Sequence, residues 1–225
     1  MTKSKQPYPT DLNDTQWSKI RPYLPAEAQT GRPREHGWRM ILNGIFYLLQ
    51  SGCSWRMLPR DLPPWKTVYH YFRLWRMNGT WERLNKLLRE KVRLKFGKKR
   101  HSSATILDSQ SIKTSEGGLE CGFDAGKQVT GRKRHSLVDT LGLVVKVIVT
   151  AGNVQDRDGA KLLLKELAEQ ADTIKRLKLI WVDGSYRGVL IDWVAEHFGW
   201  KLEVVEKPKD PETQKKFISR DADFP

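Results

Sequence analysis

Over the first hundred positions apolar residues recur every three or four places, whereas beyond His101 short unbroken apolar runs alternate with helical periods. The first pattern predicts helices, and the second predicts strands and helices in turn. The change places a boundary near Gly97 to His101 and divides the chain into residues 1–98 and 99–225. Asn13 and Asp14 form a cap signal ahead of Trp17, Ile20 and Leu24, which predicts a short first helix that Pro22 distorts or ends. A polar stretch, Ala26 to Gly37, leads into Trp38, Ile41, Leu42, Ile45, Phe46 and Leu49, a strongly amphipathic second helix. Ser51 to Ser54 break it. Leu62-Pro63-Pro64 then opens a third, because proline fits the first turn of a helix and not its interior. On that helix Val68, Tyr71, Phe72 and Trp75 trace one face, and Lys66, Tyr69, His70, Arg73 and Arg76 trace the other. Trp81, Leu84, Leu88 and Val92 mark a fourth helix.

In the second half, Ala104 to Leu107 reads as a short strand ending in Asp108, followed by a Gly-rich basic loop through Arg134. Leu137 and Val138, the turn at Asp139 to Gly142, and the apolar run Leu143 to Val149 read as a hairpin. Asp156 and Asp158 precede Leu162, Leu163, Leu167 and Ala168, a helix with acids at its positive end. Leu179 to Val182 is a buried strand ending in Asp183. Gly184 to Gly188 is a loop, Val189 to Phe198 a helix, and Leu202 to Val205 the last strand.

Forty Lys and Arg against 26 Asp and Glu give a net charge of +14, so the partner should be a polyanion, with nucleic acid leading. Cys53 and Cys121 lie in unrelated contexts, which disfavours a disulfide framework or a zinc site and fits a reducing cytoplasm. No apolar run approaches the roughly 20 residues of a membrane span, and Met1 to Thr10 lacks a signal-peptide core, so a cytoplasmic location without membrane contact is expected.

Strand, strand, strand, helix, strand, helix, strand is the element order of a ribonuclease-H-like fold, in which the first strand lies beside the fourth. That order would make Asp108 and Asp183 neighbours. An Asp at a strand end is often only a turn former or a helix cap. Two converging carboxylates, however, repel unless a cation sits between them, and Mg²⁺ or Mn²⁺ suits that donor set. The segments Ile106 to Ser111, Gly122 to Lys127, Gly131 to His135 with Leu137-Val138-Asp139, and Trp181 to Gly188 resemble insertion-sequence transposases of the "insertion sequence five" family. The likeness extends upstream through Trp38 to Leu58 and Pro64 to Trp75, so it covers nearly the whole chain.

The resemblance implies a DDE transposase, in which two aspartates and a glutamate hold divalent ions. Asp108 matches the first acid and Asp183 the second. The family's third acid lies on a helix after the last strand, in an Arg-rich aromatic segment that is missing here. Glu206 and Glu212 are the late glutamates near that place, and both read as surface residues. The expectation is therefore a multidomain α plus α/β chain: a helical, helix-turn-helix-like domain followed by an incomplete ribonuclease-H-like core. Implied partners are double-stranded DNA at an element's terminal inverted repeats and target DNA, with homo-oligomer formation left open. Lys66, Tyr69, His70, Arg73 and Arg76 are the expected groove contacts of the helical domain, His70 being equally well read as simple surface exposure. Arg132, Lys133 and Arg134, placed just before the second strand, and Arg187, beside Asp183, are the expected contacts to phosphates near the acids. Tyr186 reads either as a substrate-positioning group or as a packed loop anchor. Three functions compete: cleavage and strand transfer of DNA; end-binding without catalysis by a truncated chain; and a ribonuclease-H-like nuclease acting on RNA hybrids, which keeps the acids but leaves the helical reader unexplained.

Overall fold

The computed structural model describes residues 7–26, 34–114 and 121–206. The chain forms two compact units, residues 1–88 and 89–225.

The first unit is helical. In α1 (Asp14–Ile20) the Asn13 side chain accepts from the Gln16 backbone N–H, while the Gln16 side chain accepts from that of Asn13. Two of the orphan donors at the helix start are thereby satisfied. Pro22 falls in a 3₁₀ turn, Arg21–Tyr23, as its lack of an N–H requires. Helix α2 (Trp38–Ser51) ends at Gly52, whose φ of 65° is the left-handed cap that glycine adopts without strain. Residues 52–64, including a 3₁₀ turn at Trp55–Met57, lead to α3 (Trp65–Met77). Ile41, Leu42 and Ile45 of α2 and Val68 and Trp75 of α3 are buried against Leu12, Leu58 and Leu62. Trp75 is wholly enclosed, and Trp38 and Trp81 pack at 5.1 Å from it. The unit boundary falls within α4 (Thr80–Lys95).

The second unit is a six-stranded mixed sheet with helices on one face. Its strands are β1 (Ala104–Lys113), β2 (Gly122–Asp124), β3 (Val129–Asp139), β4 (Val144–Ala151), β5 (Leu179–Val182) and β6 (Lys201–Val204). The order is β2-β3-β1-β5-β6, with β4 also paired to β3. The first three long strands are antiparallel, and β1, β5 and β6 run parallel. This is the ribonuclease-H-like arrangement, with β1 central. Helices α5 (Asp156–Ala168) and α7 (Val189–Phe198) bury Ala160, Leu163, Leu164, Leu167, Leu190 and Val194 against Leu107, Leu137, Ile180, Val182 and Leu202. A one-turn helix, α6 (Ala171–Ile174), links α5 to β5 and had no signature in the hydrophobic pattern.

The end of α4 is tied to the β3–β4 hairpin. Arg93 donates to Asp139 at 2.6 Å, with both side chains buried, and Arg89 donates to the Val144 carbonyl at 2.7 Å. The other Asp139 oxygen accepts from the N–H groups of Leu141 and Leu143, so this acid is a turn former, as its sequence context suggested.

Two expected boundaries are corrected. β1 does not stop at Asp108 but continues to Lys113, because β3 pairs with it as far as Gly131. Arg132, Lys133 and Arg134 accordingly lie inside β3 and not ahead of it. Among the described residues no helix is long and apolar enough to cross a membrane.

Candidate active site

Parallel pairing of β1 with β5 matches Ala104 with Leu179, Thr105 with Ile180 and Ile106 with Trp181. Continued by two residues, that offset sets Asp108 opposite Asp183. Adjacent strands lie about 4.8 Å apart and matched residues on parallel strands point to the same side, so this register, continued past the end of β5 at Val182, would bring the two carboxylates out on one face. It is the face opposite α5 and α7: along β1, Ile106, Asp108 and Gln110 are exposed while Leu107 and Ser109 are buried. Both acids line one open cleft of about 400 Å³, together with Ile106, Trp181, Val205 and Glu206.

Each carboxylate is oriented by donors at its own strand end. Asp108 Oδ1 accepts from the Ser109 backbone N–H at 2.7 Å. Asp183 Oδ1 accepts from the Ser185 N–H at 2.8 Å and from its hydroxyl at 2.5 Å, which caps the 3₁₀ turn Gly184–Tyr186. In both residues the second oxygen has no protein partner among the described residues. Two exposed, pre-oriented carboxylate oxygens suit a hard divalent cation that keeps much of its water. They do not form a closed protein cage: no group of three or more His, Cys, Asp or Glu able to hold a metal occurs among the described residues. Glu206 reaches the cleft, but its carboxylate is paired with Arg187. Glu212 lies outside the described residues.

Other site expectations are distributed as follows. Arg134 is exposed on the same face as Asp108 and donates to Gln110 Oε1 at 2.5 Å. Arg132, two residues along, shares that face and is half-buried. Arg187 is exposed, and its backbone carbonyl accepts from Arg157. Lys133 alternates to the opposite side. Its side chain is only 6% exposed, with Nζ 3.1 Å from Asp124 and 3.0 Å from Asp156, so its charge is neutralised within the protein and it is not placed to touch a phosphate. In the helical unit Lys66, Tyr69, His70, Arg73 and Arg76 are all exposed along one side of α3. Tyr69 rests edge-on against Trp55 at 5.0 Å and His70 against Tyr71 at the same distance.

Sequence reasoning missed the polar cluster beneath the sheet. Asp124 accepts from the Ser111 hydroxyl at 2.5 Å, which together with Lys133 and the Lys127 N–H holds its carboxyl down to about 2 despite burial. Burial opposes ionisation of Asp156, but hydrogen bonds from Lys133 and Ser109 keep that carboxyl below its ordinary range. Burial likewise works against the Lys133 ammonium, and the two acids outweigh it, raising its pKa. His135 is fully enclosed, shares a hydrogen bond with Thr150 at 3.1 Å, and is pushed down by burial, so it stays neutral. Tyr186 is also fully enclosed, which excludes direct contact with substrate and makes it the loop anchor. Burial raises its hydroxyl above the ordinary tyrosine range, and Asp156, Asp108 and Asp183 push the same way. The one sequence signal for this cluster was a set of polar residues at alternate positions, Ser109, Ser111, Lys133 and His135, inside what would otherwise be strands.

Comparison with known proteins follows the same division of the chain. Residues 12–85 match the family described as a putative transposase of the IS4/5 family, and residues 99–217 match the transposase DDE domain. A curated relative, the insertion element IS402 uncharacterized 16.2 kDa protein of Burkholderia cepacia, is 32% identical over 118 residues, covering 49% of this chain and 78% of that protein. The uncharacterized protein y4sN of Sinorhizobium fredii (strain NBRC 101917 / NGR234) is 26% identical over 85 residues, covering 38% and 68%. Among solved structures, the piggyBac transposase synaptic complex with hairpin DNA aligns with a TM-score of 0.30 at 15% identity, over 51% of this chain and about a quarter (26%) of that one. The Mos1 transposase paired-end complex with left transposon end aligns at 0.31 and 12% identity, over 89% and 75%. With the DDE domain matched across more than half of its length, the chain belongs to the DDE transposase family, the enzymes of DNA transposition.

Proposed function

We propose that Asp108 and Asp183 are the first two metal-binding acids of a transposase that cleaves and joins DNA at the ends of an insertion element. A dependence on divalent metal comes with the family. Mg²⁺, or Mn²⁺ in its place, is the ion these oxygen donors suit. The observation that supports the reading is that Asp108, on β1, and Asp183, just past the end of its parallel neighbour β5, line one cleft. When bound, a pair of such ions neutralises charge at the attacking and leaving oxygens of an in-line phosphodiester displacement. The chain's own contribution is orientation. Ser109 and Ser185 fix one oxygen of each acid and leave the other to bind. Arg134 and Arg132 on the same face, and Arg187 at the rim, supply positive charge for the phosphates flanking the cut.

We assign reading of the element ends to the exposed side of α3, where Lys66, Tyr69, His70, Arg73 and Arg76 form a basic and polar stripe. Its partners are the terminal repeats as duplex DNA, then target DNA. The absence of any three-acid group among the described residues favours a second reading, an end-binding protein without catalysis. One experiment separates them: nicking of end-containing duplex DNA by the full chain in Mg²⁺ or Mn²⁺. Cleavage that chelation removes and that Asp108→Ala or Asp183→Ala reduces at least a thousandfold supports the enzyme. Sequence-specific binding with no cleavage supports the binding protein.

A further inference from the structure

Directly beneath the two acids, on the helical side of the sheet, lies a buried polar column. Ser109 follows Asp108 and turns inward, where it is buried on the side of the sheet that Asp156, the first residue of α5, also occupies. Tyr186 closes the turn that Asp183 caps, its N–H donating to the Asp183 carbonyl at 3.3 Å. Its hydroxyl is sealed inside the protein beside Ser109, without a well-formed hydrogen bond. Lys133 of β3 then joins Asp156 to Asp124 of β2, at 3.0 and 3.1 Å. Lys127 adds a contact of 3.0 Å from its Nζ to the Ser109 carbonyl. Every member has another member as a neighbour. The column touches both strand ends that carry the site, one through Ser109 and the other through Tyr186.

Such an arrangement is costly unless it serves something. Three ionised side chains, those of Lys133, Asp124 and Asp156, are 6%, 8% and 20% exposed, where an apolar trio would pack at least as well. Groups that fix the orientation of metal ligands commonly have this character.

We propose that Asp156 and Tyr186 are positioning residues that set the spacing of the Asp108 and Asp183 carboxylates, with Lys133 holding Asp156 in place. The inference rests on the metal-site reading above. In it, Ser109 and the turn at 184–186 are two arms on one buried anchor. Loosening the anchor lets the acids drift apart without removing either.

The test is Mn²⁺ binding to the full chain, measured by calorimetry and by manganese electron paramagnetic resonance, beside thermal unfolding with and without the ion. Asp108→Asn serves as the control for the site itself. Tyr186→Phe, which deletes one oxygen and keeps the ring, and Asp156→Asn, which removes one charge, should each weaken Mn²⁺ binding by roughly tenfold or more. Folded protein at the assay temperature should be retained, and Tyr186→Phe should unfold within a few degrees of the parent. A purely structural role would lower the unfolding temperature and leave the Mn²⁺ affinity of the folded fraction unchanged. That result, with Asp108→Asn still abolishing binding, overturns the positioning role and spares the metal site. Should the parent bind no Mn²⁺, or Asp108→Asn bind it equally well, the site reading and this inference fall together. If Asp156→Asn does not fold, Tyr186→Phe alone decides.

Discussion

Gly159 offers the sharpest test of how α5 meets the sheet. It lies in the first half of that helix, and a β-carbon built there would stand 2.0 Å from His135 Cε1, 2.2 Å from Nε2 and 2.6 Å from Nδ1. Carbon atoms in contact settle at about 3.5–4.0 Å, so Gly159→Ala requires a separation of roughly 1.5 Å between helix and ring. His135 has no exposed surface into which to retreat, and its Thr150 hydrogen bond would be lost if it turned. Overpacking of this kind costs about 1–3 kcal/mol, and the depth of overlap puts this case near the upper end. Against it stands a helix-propensity gain of about 1 kcal/mol for replacing glycine by alanine. The net expectation is a loss of about 2 kcal/mol, visible as a lower urea midpoint with an unchanged slope. The same substitution made in a His135→Ala background should show the propensity alone and stabilise by about 1 kcal/mol. The coupling across the double-mutant cycle is then about 3 kcal/mol. Gly159→Ala that is neutral in the parent, or equally costly in both backgrounds, would refute the contact as its cause.

Other outcomes follow from the same geometry. The Asp124 carboxyl, held from 3.8 down to about 2 chiefly by Ser111, contributes stability that is complete above pH 4 and lost as pH falls through about 2. That contribution is about 2 kcal/mol, and Ser111→Ala should flatten this acid limb of the stability profile. Breaking the buried Arg93–Asp139 pair by Arg93→Met should cost about 3–5 kcal/mol in denaturant titrations, since it strands an enclosed carboxylate. Arg134→Ala should weaken duplex binding and reduce the slope of log affinity against log salt by about 1, whereas Lys133→Ala should leave that slope unchanged and lower stability instead. An equal slope change in the two variants would contradict the placement of their charges.

The parts of this architecture that declared themselves in the sequence were those with one apolar face. Val68 and Trp75 against Lys66, Tyr69, His70, Arg73 and Arg76 marked both sides of α3 correctly, and the hairpin around Asp139 to Gly142 was plain from its turn. Asp108 and Asp183 stood out as candidates because each follows an apolar run, and both line one cleft. Strand length was hidden for the opposite reason. Beyond Asp108 the inward positions of β1, Ser109 and Ser111, are polar while its apolar residue, Ile112, faces solvent with Gln110, so the alternation that marks a strand disappears. Lys133 misled in the same way: a run of three basic residues looks like a surface, yet the pleat sends the middle one inward to two acids with no sequence proximity to it. Buried ionic partners are set by tertiary pairing, which local pattern does not encode.

Because the acids owe their shared side to the phase of β1 against β5, the fold responds to length changes by parity. Deleting one residue between Ala104 and Leu107 would swing the first acid inward onto α5 and turn every later side chain of the strand to the opposite face. Deleting two would return it to the correct side but withdraw it by about 6.6 Å along the strand, out of reach of a shared ion. The first lesion therefore costs stability as well as the proposed site, whereas the second keeps each side chain of the strand on its own face and acts chiefly by displacing the acid.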